Sequence, residues 1–113
     1  MKVYLAKDLN NIPLYGDIPD LTVTESPIVE SFSITDEEYS YLDKYFIDET
    51  NNVCNTLLDL GDYQYYSDNQ CQLLLVWINN NESNCIELKA FYDRLKDYLS
   101  YAIDNHTGIA IEL

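Results

Sequence analysis

The chain has 113 residues, 47% of them hydrophobic, and 20 acids against 6 bases give a formal net charge of −14. That length suits one domain, residues 1–113, and that apolar content is too high for intrinsic disorder. The longest apolar run, Leu73 to Ile78, is too short to cross a bilayer, and so acidic a surface repels nucleic acid and anionic membrane.

In chain order, "KVYLAK" (Lys2 to Lys7) alternates like a strand. "DLNNIPLYGDIPD" is turn-rich, with room for a short edge strand near Ile12 to Tyr15 that hairpins through Asn10-Asn11. "LTVTE" and "IVESFSI" read as extended. Thr35 and Glu38 have the spacing of a capping box. The apolar positions that follow predict a helix from about Asp36 to Leu58, which "DETNN" could break and Gly61 ends. A second box, Ser67 with Gln70, opens a helix over about Asp68 to Asn79 that is apolar all round. The last helix begins near Asn84, with Glu87 at the box position. Leu88, Phe91, Tyr92, Leu95, Tyr98, Leu99, Ala102 and Ile103 form its apolar stripe. Gly108 is read as its cap and "IAIEL" as a closing strand. Strands at both ends with helices between them predict an α+β fold. Three or so helices pack on a small sheet made by the N-terminal strand or strands and the C-terminal strand.

Residue chemistry points away from catalysis. His106 is the only histidine and sits where a helix ends, a capping position. Cys54, Cys71 and Cys85 form no CxxC pair, and thiols with apolar neighbours in helical segments are inert. One histidine with dispersed cysteines gives zinc no ligand set. The acids around Asp59, Asp62 and Asp68 lack EF-hand spacing. No glycine-rich loop exists for phosphate. The expectation is a non-enzyme with no cofactor. Odd cysteine usage and the lack of a leader-like N-terminus point to the cytoplasm.

The informative stretch is "LLDLGDYQYYSDNQ", Leu57 to Gln70, which reads as a loop-like bridge with three tyrosines, three aspartates and no base. No lysine or arginine occurs between Asp8 and Asp43, nor between Tyr45 and Leu88. In one reading Tyr63, Tyr65 and Tyr66 fold back onto the core and the aspartates serve turns and caps. In the other, Asp59, Asp62, Tyr63, Tyr65, Tyr66 and Asp68 form a contact surface. Phenol rings would supply rigid area there, and carboxylates would meet arginines or lysines of a partner.

Two stretches, "LLDLGDYQYYSDNQCQLLLVWINN" and "YDRLKDYLSYAIDNHTGIAIEL", resemble small acidic bacterial immunity proteins of polymorphic toxin systems, including contact-dependent growth inhibition. The resemblance implies a cytosolic antidote that binds a cognate basic toxin domain, of nuclease type, as a monomer in a 1:1 complex. An acidic nucleic-acid mimic of the anti-CRISPR kind and a non-catalytic adaptor are the alternatives. A small hydrolase using a cysteine with His106 is a further one.

Overall fold

The computed structural model describes residues 1–23 and 28–113. Strand β1 (Lys2–Ala6) is followed by the two-residue strands β2 (Leu14–Tyr15) and β3 (Ile18–Pro19), a 3-10 turn (Leu21–Val23) and β4 (Val29–Ser33). Then come α1 (Asp36–Leu42), a π-helical turn (Asp43–Ile47), α2 (Asp48–Cys54), β5 (Tyr63–Tyr66) and α3 (Asp68–Asn81). Two further 3-10 turns (Glu82–Asn84, Ile86–Leu88) lead to α4 (Lys89–Asn105) and β6 (Ile109–Glu112). The architecture is α+β: helices pack on a four-stranded antiparallel sheet of order β4-β1-β6-β5, with the terminal strands β1 and β6 side by side at its centre.

Both expected capping boxes form: Thr35 Oγ1 accepts from the Glu38 N–H and Ser67 Oγ from the Gln70 N–H, and each partner side chain reaches back. "DETNN" does not break the first helix: it lies within α2, which continues from α1 through the π turn. That rod ends at Cys54, where Asn55 adopts φ 55°; Gly61, at φ 85°, belongs to the later turn into β5. Residues 82–88 wind as 3-10 turns, so α4 starts at Lys89 without a side-chain cap and Glu87 closes no box. Its end is capped by His106 at φ 54°. Gly108 serves another purpose: a Cβ there would collide with the Tyr65 ring and the Tyr66 carbonyl. Helix α3 is apolar all round but buried on one side only: Cys71, Leu74, Trp77 and Ile78 are buried, whereas Leu73 and Val76 are exposed. Of the two segments read as extended, Val29–Ser33 is a strand, whereas Leu21–Val23 is a 3-10 turn and the rest of "LTVTE" lies outside the described residues.

Alternation splits the sheet's side chains between two cores. On the helix face Val3, Leu5, Tyr66, Ile109 and Ile111 join Phe46, Trp77, Phe91, Leu95 and Leu99. On the other face Ala6 and Ala110 lie under Leu9, Ile12, Leu21 and Ile28, with Tyr4, Tyr63 and Tyr65 packed beside them. The turn-rich segment after β1 therefore covers the back of the sheet.

Candidate protein-binding surface

The Tyr63–Tyr66 run is an edge strand and not a loop. Tyrosine and glutamine at alternating positions fit a half-buried strand, and pairing with β6 aligns Tyr63 with Glu112 and Tyr66 with Ile109. Because successive strand residues point to opposite faces, Tyr63 and Tyr65 share the back face and Tyr66 points the other way. Tyr66 goes to the helix core and is fully buried, so it offers no ring to a partner, a correction to the contact set. Tyr65 lies half-buried on the back face. Tyr63 acts as a clasp: its hydroxyl donates to the Pro19 carbonyl (2.7 Å) and accepts from the Leu21 N–H (3.1 Å). Burial pushes the Tyr63 and Tyr65 phenols up to about 12 and raises Tyr66 further still.

The aspartates also divide. Asp59 and Asp62 are exposed on the turn before β5, where the Asp59 carbonyl accepts from the Asp62 N–H at 3.0 Å. Asp68 opens α3 and faces His106 Nδ1 at 3.1 Å. The hydrogen bond from His106 is the main reason its carboxyl lies below the ordinary value. Gln64 covers part of the strand's outer edge: its amide donates to the Tyr65 carbonyl and accepts from the Leu57 N–H. Side-chain coverage of this kind protects an edge strand from pairing with another chain.

What remains accessible is a corner of the sheet built from two projections joined through Tyr63. One is the turn preceding β5, where Leu57 and Leu60 are exposed beside Asp59 and Asp62. The other is the β2–β3 hairpin, which turns through Gly16 at φ 64° and exposes Leu14, Tyr15 (82%) and Ile18. Between hairpin and sheet lies an open cleft of about 360 Å³ bounded by Tyr15, Ile18, Pro19, Asp20, Tyr63 and Glu112. Nothing in the sequence marks the hairpin residues or Glu112 as part of a site. Two-residue strands containing a proline carry a weak signal, and the hairpin turns through Gly16-Asp17 instead of the expected Asn10-Asn11.

Acids also line α1, the π turn and α2, but Lys44 stands among them, over the Tyr45 ring at 5.1 Å. Lys7, Lys89, Arg94 and Lys96 all take part in ion pairs with acids of the same chain. Charge alone therefore picks out no surface, since acids lie on the helices, the hairpin and the turn before β5. Exposed Leu14, Tyr15, Ile18, Leu57 and Leu60 gather beside acids at this corner, while Val53, Leu73, Val76 and Ile86 are exposed on the helical side.

The groups suited to acid–base or nucleophilic work are placed differently. All three cysteines are buried and free, and burial pushes the Cys54 thiol up to about 11 and that of Cys71 up to about 12, leaving both protonated at neutral pH. Among the described residues no three His, Cys, Asp or Glu side chains gather to hold a metal ion, and no helix is long and apolar enough to cross a membrane. Comparison with family models, curated proteins and solved structures finds no match, so the function has to be read from this geometry.

Proposed function

We propose that the chain is a stoichiometric protein inhibitor, an immunity-type antidote that binds a basic, nuclease-type toxin domain 1:1 in the cytoplasm and covers it. One observation carries the reading: exposed Tyr15 and Ile18 line a cleft with Asp20 and Glu112, on a hairpin that also exposes Leu14 and Asp17, in a chain of net charge −14. An apolar centre with an acidic rim suits a protein partner whose own surface is cationic. The apolar part gives affinity, while the charge gives selectivity and fast encounter. A nucleic-acid mimic needs ordered carboxylates but gains nothing from exposed leucine and isoleucine, so this surface favours a protein-fitting inhibitor.

The test is a pairwise one. If the gene neighbours that of a large toxin, the toxin's C-terminal domain is purified and mixed with this chain. A 1:1 complex with loss of nuclease activity supports the proposal. A folded chain that neither binds nor inhibits the neighbouring toxin domain rejects it.

A further inference from the structure

We propose that the cleft between the β2–β3 hairpin and the sheet holds an arginine side chain of a protein partner, its guanidinium between the carboxylates of Asp20 and Glu112 and its stem against Tyr15 and Ile18. The partner's role as a toxin rests on the reading above, but the chemistry of the cleft does not.

Both carboxylates are fixed by one oxygen. Glu112 Oε1 accepts from the Tyr4 hydroxyl at 2.9 Å. Asp20 Oδ1 accepts from the Thr22 N–H at 3.0 Å and from the Thr22 hydroxyl. In each case the second oxygen has no hydrogen-bond donor among the described residues. Both acids line the cleft together with Tyr63: burial raises the Tyr63 phenol most, and their negative charges add to the rise. The Tyr63 hydroxyl is already committed to Pro19 and Leu21 and cannot serve either acid. Lys2 sits directly across from Glu112 in the sheet but forms no ion pair with it.

The cleft thus offers two positioned acceptors, aromatic walls and, among the described residues that line it, no cation. Guanidinium fits this description better than ammonium. It is planar, weakly hydrated, able to stack on aromatic rings and to donate in two directions at once. An ammonium in so open a cleft would keep its water. Preorganised carboxylates spare the ordering cost that weakens most exposed ion pairs.

The test uses the intact 113-residue chain and two probes, N-acetyl-arginine amide and N-acetyl-lysine amide, followed by amide NMR. Saturable shifts centred on Asp20, Tyr63 and Glu112 are expected, with arginine the tighter ligand. Glu112→Gln keeps an acceptor for Tyr4, and Tyr15→Ala alters an exposed ring, so both should fold. Each should weaken arginine binding about tenfold, the equivalent of one charge-assisted contact. No saturable shifts in the cleft, lysine binding as tightly as arginine, or unchanged affinity in Glu112→Gln would overturn the proposal. Because neither probe involves a toxin, the cleft's chemistry and the inhibitor reading stand or fall separately.

Discussion

Replacing Tyr63 by phenylalanine removes one oxygen and keeps the ring, so it isolates the clasp between β5 and the segment covering the back of the sheet. The hydroxyl bonds the Pro19 carbonyl and the Leu21 N–H, and Leu21 is buried. Each such bond contributes about 0.5–1.5 kcal/mol net, so the pair gives about 1–3 kcal/mol, toward the upper end because a buried donor loses its partner. Urea unfolding followed by the fluorescence of Trp77 should show a lower midpoint with unchanged slope, and the Leu21 amide should exchange faster. A pH series adds a second signature. The phenol ionises near 10 when unfolded and at about 12 in the fold, so its stabilisation is complete below pH 10 and is lost as pH rises toward 12. The difference between wild type and variant should narrow over that window. An unchanged midpoint with normal Leu21 protection would refute the clasp.

Other substitutions probe other links. Gly108→Ala forces a methyl into the Tyr65 ring and the Tyr66 carbonyl, and calorimetry should show at least about 1–3 kcal/mol of destabilisation, as for overpacked cores. Arg94→Ala strips from Glu38, which is only 6% exposed, the Nη2 group that donates to both its carboxylate oxygens at 2.8 Å. The cost should be about 1–3 kcal/mol in urea unfolding, less than for a fully buried pair because the Arg94 side chain is 40% exposed. Tyr66→Ala should cost about 3–5 kcal/mol of stability as a core truncation, whereas Tyr15→Ala, at an 82% exposed position, should leave the melting temperature unchanged. Asn55→Ala should lose about 1 kcal/mol in the same assay, because Asn55 holds a left-handed conformation that Asn tolerates better than Ala.

Local signals read most clearly in the sequence. The Thr35–Glu38 and Ser67–Gln70 boxes depend on three-residue spacing, and the stripe from Leu88 to Ile103 depends on helical period, so each is visible without tertiary information. The pairing of β1 with β6 follows from two alternating segments at opposite ends of an α+β chain. Hidden features needed long-range knowledge. "YQYY" lies between turn residues and looks like loop until β6 is there to pair with it. The π turn at Asp43–Ile47 has no compositional marker and lets α1 run on into α2. The tyrosines were the hardest case. Whether Tyr63 and Tyr65 face water or core depends on Leu9, Ile12, Leu21 and Ile28 packing over the back of the sheet, and no local pattern encodes that. Of the expected contact residues, Asp59, Asp62 and Tyr63 remain at one corner, Tyr65 is half-buried on the back face, Tyr66 is core, and Asp68 is engaged with His106. The hairpin that completes the corner came from the structure.

The most direct measurement is the affinity of the proposed partner, the toxin domain encoded beside this chain if there is one, for wild type and for a Tyr15→Ala/Asp20→Lys variant, by titration calorimetry at two salt concentrations. A docking corner predicts that the variant folds normally yet binds at least about 2 kcal/mol more weakly, with a shallower salt dependence. Equal affinity for both proteins would show that the partner engages some other part of this surface, and the account would fail.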